Sequence, residues 1–305
     1  MRGTEPGRRE AYDAPFSARA LLPGRAAGGV AAAEIRVING KAGFPEGPFW
    51  ADGKLYYAEY GGNRVSVWDG AANRVLWQED GCGPSAVLPF AGDWLVTCYD
   101  NGTLVQIGAD GSTQRVWDED ATGAALVGPN DLTSDGRGGA YLTASGPWES
   151  GPIVGKVYHL TAAGALTPVA DDLHYANGIQ LSADGKLLYV NESEAGRVIT
   201  FAVHEDGSLA DRRLFVRLTA LGEPVDAYPD GIKLGPDGNL YIGQYSAGRI
   251  LVVTTEGKLV RKLEVPSPTA PNLTFGPDGS TVYVMAVDDT QNAPYKGTVY
   301  AIPNP

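Results

Sequence analysis

Positive charge, histidine, cysteine and long apolar runs are all scarce in this sequence of 305 residues. Its 24 Lys and Arg are outnumbered by 36 Asp and Glu, so no basic stripe is available for nucleic-acid phosphates or an anionic membrane surface. The sequence contains no run of 18 apolar residues, so no transmembrane helix is predicted. The N-terminal segment lacks the continuous apolar stretch of a signal peptide. We therefore expect a cytoplasmic protein whose partner is a small molecule, with neither nucleic acid nor membrane as partner. The oligomeric state is left open.

Only two cysteines are present, Cys82 and Cys98, and they could bridge two neighbouring strands. Two cysteines without a secretion signal are more often free thiols, so free thiols are expected. Of the three histidines, only His174 lies close to a motif described below. No Ser-His-Asp arrangement can be assembled.

Glycine and proline, by contrast, are abundant, with 41 and 21 residues, as expected for short strands joined by tight turns. One phrase recurs six times: a polar residue begins an apolar strand, and a tight turn joins it to a second strand. The polar residues lie 39 to 53 residues apart and are Glu46, Ser85, Asn130, Asn177, Asp230 and Asn272. This spacing is typical of four-stranded propeller blades.

A third strand follows in all six units, but a fourth follows in only five, because the chain stops at Pro305. The unassigned segment at about residues 33–39 is predicted to complete the last blade and to close the ring, which removes an exposed edge. The sequence thus predicts an all-β fold, a single six-bladed β-propeller domain over residues 33–305. Residues 1–32 are expected to form an N-terminal extension.

First strands of propeller blades line the central channel, so the six polar residues are expected to form a ring at one of its mouths. Carboxylates that face inward repel one another unless a cation lies between them. Oxygen-only ligands favour calcium over zinc or copper. The predicted ligands of a divalent metal are Glu46, Asn130, Asn177 and Asp230. Ser85 and Asn272 are expected to support these ligands or to face substrate. A polar, water-filled channel is the alternative interpretation.

The phrases "EGPFW", "PNDL", "ANGIQLSADGKLLYV" and "PDGIKLGPDGNLYI" resemble the regucalcin–gluconolactonase family, also called the senescence marker protein family. The resemblance covers about residues 34–305. It implies a six-bladed propeller with a catalytic divalent metal, usually calcium, held by the four residues predicted above; Mg²⁺, Mn²⁺ and Zn²⁺ are alternatives.

The resemblance further implies a hydrolase that opens a lactone ring. Asp230 is the expected base or nucleophile, and Asn130 orients the metal. A related branch resembles diisopropyl fluorophosphatase and hydrolyses organophosphorus esters, and a propeller that only binds calcium or a ligand is a third alternative. Gly128 stands where sugar-lactonase members often carry an arginine, which leaves the substrate open.

Second strands run back towards the same mouth, so the residues at their ends are predicted to wall the pocket. Those expected to contact substrate are Tyr60, Tyr99, Ser145, Trp148, Glu192 and Tyr245. Residues 145–155 form the longest departure from the repeat and are expected to be a specificity loop.

Overall fold

Short β-strands dominate the computed structural model, which describes residues 34–148 and 153–305. Within these residues, helical structure is limited to two 3₁₀ turns, Tyr60–Gly62 and Leu218–Leu221. The predicted all-β class is therefore confirmed. The extension predicted for residues 1–32, and residues 149–152 of the predicted specificity loop, lie outside the described residues.

The chain begins with β1 (Arg36–Gly43) and continues through four antiparallel sheets of four consecutive strands each. The first sheet contains β2 (Pro45–Ala51), β3 (Lys54–Glu59), β4 (Arg64–Trp68) and β5 (Asn73–Gln78). The second contains β6 (Pro84–Phe90), β7 (Asp93–Cys98), β8 (Thr103–Ile107) and β9 (Thr113–Trp117). The third contains β10 (Pro129–Ser134), β11 (Ala140–Ala144), β12 (Gly155–Leu160) and β13 (Leu166–Leu173). The fourth contains β14 (Ala176–Leu181), β15 (Leu187–Glu192), β16 (Arg197–Val203) and β17 (Leu209–Arg217).

The remaining strands form one eight-stranded sheet that includes β1. Its first group is β18 (Pro229–Leu234), β19 (Leu240–Gln244), β20 (Arg249–Val253) and β21 (Leu259–Glu264). Its second group is β22 (Thr269–Phe275), β23 (Thr281–Val287) and β24 (Lys296–Pro303). The two groups are joined by the pairing of Gln244 with Ala270.

The N-terminal strand β1 pairs antiparallel with β24, from Arg36 opposite Ala301 to Gly43 opposite Lys296. The pairing predicted between the N-terminal segment and the last unit is therefore present. The strand lies a few residues later than the predicted 33–39, and its pairing contains two register shifts.

Tight turns explain how so many short strands fit together. In the first hairpin, Asp52 and Gly53 both have positive φ, 49° and 74°, as a two-residue turn between twisted strands requires. The same Asp-Gly or Asn-Gly chemistry is repeated along the chain.

The core is divided into six buried apolar clusters, each between neighbouring groups of strands. Leu95 and Leu142, for example, share one cluster between the second and third sheets. Leu55 of β3 shares another with Met285 of β23 and Val299 of β24, so the first sheet packs against the last group. Packing thus runs from each group to the next and returns to the start.

Cys82 and Cys98 form a disulfide, which makes the expectation of free thiols wrong. Cys98 ends β7 and Cys82 lies just before β6, and Asp100 N–H donates to the Cys82 carbonyl alongside them. This hairpin pairing holds the two Cα atoms 4.6 Å apart, within the distance that a disulfide spans. Strand register, which spacing along the sequence does not report, brings the two sulfur atoms together.

Candidate functional site

The first strands of the six groups lie beside one another: β2 contacts β6, and each subsequent first strand contacts the next, until β22 contacts β2. A cavity of about 280 Å³ opens where these strands begin. Five of the six predicted ring residues line it, namely Glu46, Ser85, Asn130, Asn177 and Asp230. The structure therefore brings the four predicted metal ligands, which are spread over 185 positions of the chain, to one cavity.

The carboxyl group of Glu46 is buried and accepts two hydrogen bonds. Its Oε2 accepts from the Gly47 N–H and from Asn272 Nδ2, each at 3.1 Å. Burial raises the pKa of Glu46 to about 8, although these two hydrogen bonds act in the opposite direction. Asn272, the sixth ring residue, thus contacts a predicted ligand and does not line the cavity.

Asp230 is buried in the same cavity, at 7% exposure. Burial raises the pKa of Asp230 well above its usual range, and the nearby negative charges of Glu46 and Asp131 raise it further. Two neighbouring carboxyls that both resist ionisation mark a place where a positive charge would be strongly stabilised.

Each of the two predicted asparagine ligands has an amide oxygen available. Asn130 Nδ2 donates to Ser145 Oγ at 2.9 Å, which leaves its Oδ1 as the free polar atom. Asn177 Oδ1 is buried and has no hydrogen-bond partner among the described residues. A buried oxygen without a partner costs roughly 1–3 kcal/mol unless a donor or a cation satisfies it. The orphaned oxygen and the two buried carboxyls fit a divalent cation.

Among residues 34–148 and 153–305, no group of three or more His, Cys, Asp or Glu is placed to hold a metal. The cavity instead combines two carboxyls with two carboxamides. Such neutral and charged oxygens are the ligands that calcium uses, together with water.

Side chains of the second strands fix the backbone of the ring residues. Thr143 Oγ1 donates to the Asn177 carbonyl, and Asn191 Nδ2 donates to the Asp230 carbonyl, both at 2.6 Å. These bonds connect each first strand to the preceding group. Packed strands therefore help to position two of the ring residues, Asn177 and Asp230.

Asp131, which is buried, and Lys233, which is half-buried, form an ion pair beside the cavity that the sequence did not predict. Lys233 Nζ lies 3.2 Å from Asp131 Oδ2, and Asp131 Oδ1 accepts from the Leu132 N–H at 2.8 Å. The pair acts on Glu46 in both directions, because the charge of Asp131 raises its pKa and that of Lys233 lowers it. Charged residues directly after "PN" and "DGI" were the available signal.

Aromatic side chains form the wall above the ring. Of the six predicted substrate contacts, four line the cavity: Tyr60, Tyr99, Trp148 and Tyr245. The prediction missed Phe44, Tyr175, Ser193, Tyr228, Thr290 and Tyr295. Phe44 and Tyr175 each lie two residues before a ring residue, and both have positive φ, 47° and 56°. This shared place in the repeated motif was the available sequence signal.

Glu192, one of the predicted substrate contacts, does not line the cavity. It is fully buried, and its carboxylate is bound by Arg197 Nε at 2.5 Å and Arg212 Nη2 at 2.8 Å. Its neighbour Ser193, directly after the end of β15, lines the cavity instead.

Ser145, another predicted substrate contact, likewise does not line the cavity. It is buried beneath Asn130, and its Oγ donates to the Ala176 carbonyl at 2.6 Å while it accepts from Asn130 Nδ2. Ser145 therefore orients a predicted ligand.

Gly128 occupies a backbone position that excludes larger residues. Its φ is +62°, and a Cβ there would lie 2.9 Å from both the Gly146 carbonyl oxygen and the Tyr99 ring. The Tyr99 ring thus fills the space beside Gly128.

Gly128→Ala is expected to destabilise the protein by about 2 kcal/mol, through the strained backbone and the contact with Tyr99. Chemical denaturation measures the change. The matched control is Gly123→Ala, since Gly123 has φ +80° with nothing within 4 Å of its added Cβ. Equal losses in both variants would show that the contact with Tyr99 contributes nothing.

Known proteins resemble this chain in sequence and in fold. Residues 44–288 match the family described as SMP-30/gluconolactonase/LRE-like region. A lactonase drp35 from Staphylococcus aureus is 31% identical over 144 residues, 45% of this chain and 42% of the relative. A lactonase drp35 from Staphylococcus haemolyticus is 26% identical over 232 residues, 72% of this chain and 68% of the relative. The alignments with the Staphylococcus aureus relatives span about half of those proteins.

Solved structures show the same fold. A gluconolactonase from Xanthomonas campestris has a TM-score of 0.73 at 24% identity, covering 89% of each chain. A calcium-binding regucalcin from Agrobacterium tumefaciens has a TM-score of 0.70 at 18% identity, covering 88% of this chain and 92% of its own. At these identities the likeness concerns the fold.

Proposed function

Because the chain belongs to the SMP-30/gluconolactonase/LRE-like family, we propose that it is a metal-dependent hydrolase that opens lactone rings. The observation that carries the proposal is the buried, partnerless Oδ1 of Asn177 in a cavity shared with two carboxyls whose pKa values are raised. A non-catalytic scaffold has no need to bury such groups together.

The metal would be held by the oxygen atoms of Glu46, Asn130, Asn177 and Asp230. When bound, a divalent cation supplies Lewis-acid polarisation of the lactone carbonyl. Calcium is the proposed ion, because the ligands are all oxygen and half of them are neutral. The calcium-binding regucalcin that shares this fold is consistent with that choice.

Asp230 is the proposed reacting carboxylate. As a base it takes a proton from the attacking water while the water oxygen bonds to the carbonyl carbon. The ring C–O bond then breaks, and the departing oxygen takes that proton, so the product is a hydroxy acid. Direct attack by Asp230 is the second route, and it would give an acyl-enzyme that water then hydrolyses.

The 24 strands are proposed to form six blades around this site, with residues 33–305 as one propeller domain. Four separate sheets, the two groups of the eight-stranded sheet and the six apolar clusters between neighbouring groups support this arrangement. Within the described residues, no helix has the length and hydropathy needed to cross a bilayer. The cytoplasmic location stays a prediction.

A substrate panel tests the proposed function. Purified protein is assayed with aliphatic lactones, aldonolactones and fluorophosphates, first with calcium and then with a chelator. Lactone opening is expected with calcium, a loss of at least about 100-fold on chelation, and recovery when calcium is restored.

Two results would contradict the proposal. Activity on fluorophosphates alone would assign the site to organophosphorus esters. Tight calcium binding without turnover of any compound would indicate a binding protein.

A further inference from the structure

The cavity walls differ from those expected for a polyhydroxylated ligand. We propose that this site selects an uncharged lactone that carries a flat apolar group, such as an aryl ring, over sugar lactones and anionic lactones. This inference rests on the proposed function.

Ring faces and edges make up much of the wall. Eight of its lining residues are aromatic: Phe44, Tyr60, Tyr99, Trp148, Tyr175, Tyr228, Tyr245 and Tyr295. These rings also contact one another, so the wall is continuous. The rings of Trp148 and Tyr175 meet edge to face with their centroids 4.6 Å apart. The rings of Phe44 and Tyr245 are stacked with their centroids 6.2 Å apart. Such walls suit a flat ring, which gains from both burial and aromatic contact.

Several tyrosine hydroxyls of this wall are already used within the protein. Tyr175 donates to the Tyr99 hydroxyl at 3.0 Å, and Tyr99 donates to the Gly146 carbonyl at 2.8 Å. Tyr60 donates to Asp100 Oδ1 at 2.9 Å. A tyrosine has one hydroxyl proton, so these three cannot also donate to a substrate.

Ser193 Oγ, also in the lining, donates to the Pro229 carbonyl at 2.6 Å. A sugar lactone would bring several hydroxyl groups into a cavity where four lining hydroxyls already donate within the protein. Each hydroxyl buried without a partner weakens binding.

The charges of the cavity have one sign. Among the described residues, its lining contains the carboxyls of Glu46 and Asp230 and no Lys, Arg or His. An arginine at position 128 would supply a donor and a positive charge, but Gly128 leaves that space to the Tyr99 ring. A phosphate or carboxylate on the substrate would therefore lack a cationic partner among the side chains of the wall.

The first test compares kcat/KM for three lactones with calcium-loaded protein. They are γ-phenyl-γ-butyrolactone, γ-butyrolactone and glucono-δ-lactone. The phenyl compound is expected to exceed γ-butyrolactone by at least about tenfold, since the cavity buries its ring, and to exceed glucono-δ-lactone by more. Faster opening of glucono-δ-lactone would overturn the selectivity and leave the proposed lactonase function intact.

The second test uses Trp148, which is 44% exposed and contacts three tyrosines of the wall. Trp148→Ala is expected to reduce the phenyl preference over γ-butyrolactone at least fivefold, mainly through KM, whereas Trp148→Phe keeps most of it. An unchanged preference in Trp148→Ala would overturn the role of the aromatic wall.

Measurements of binding test the proposed selectivity even if no lactone is hydrolysed. Titration calorimetry with 5-phenyl-2-pyrrolidinone and with gluconolactam, the amide analogues, needs no turnover. Tighter binding of the phenyl lactam by at least about tenfold supports the inference, and equal or reversed affinities contradict it. Failure of the lactonase function and failure of the selectivity are thereby separated.

Discussion

Asp230→Asn is expected to lower kcat/KM for lactone opening by about 10²–10⁴-fold, the range attributed to a positioned acid or base. The amide of asparagine cannot take a proton from water and cannot attack the carbonyl. It also removes one of the two negative charges proposed to hold the metal, so calcium affinity should fall as well. Steady-state kinetics and calcium titration calorimetry measure both effects.

The same substitution is expected to preserve the fold. Burial and neighbouring charges raise the pKa of Asp230, so a neutral amide of similar shape is well accommodated in the metal-free protein. Thermal unfolding with a chelator should show equal or greater stability than for the unsubstituted protein. The control is Asp226→Asn, an exposed aspartate four residues earlier, which should leave activity unchanged. Unchanged turnover in Asp230→Asn would exclude the proposed mechanism.

Stability of the metal-free protein should fall as pH rises between about 5 and 8. Folding raises the pKa of Glu46 from 4.5 to about 8, so the folded state holds a proton that the unfolded state has already released. The stabilisation is complete below pH 4.5 and is lost as pH rises through 8. The slope reaches about 1.4 kcal/mol per pH unit for one such group. Urea denaturation in a chelator at several pH values measures it.

Glu46→Gln should reduce this pH dependence, because the amide does not titrate, while Asp230, whose pKa is also raised, keeps its own contribution. Calcium should have the opposite effect on the unsubstituted protein, stabilising it more as pH rises, since metal ligands must lose their protons to bind. A stability that rises with pH in the chelator would contradict a shared, buried carboxyl site. So would a calcium effect that is independent of pH.

Repetition made the fold and the ring of polar residues predictable from sequence. The position of Asn177 or Asp230 within its phrase fixes the place of each in its strand, so equivalent side chains reach the same cavity. The pairing of β1 with β24 was predictable because the last unit lacks a fourth strand and one unassigned strand precedes the first unit. These inferences depend on spacing along the chain, which a sequence records directly.

Contacts between repeats were harder to predict. Glu192 and Ser193 differ by one position, yet two arginines bind Glu192 at the end of β15, whereas Ser193, in the turn that follows, lines the cavity. The Asp131–Lys233 pair and the Cys82–Cys98 disulfide depend on which side chains face each other across strands or sheets. Spacing alone does not report such partners.

The pairing of β1 with β24 has a consequence for synthesis in the cell. The partners stand about 260 positions apart, from Arg36 with Ala301 to Gly43 with Lys296. The ribosome must therefore synthesise the chain through β24 before β1 can pair with it. Until then a nascent chain displays bare strand edges, which invite pairing with other polypeptides. Messages truncated near their 3′ end should consequently yield aggregates or degradation products, even when every side chain of the cavity has been translated.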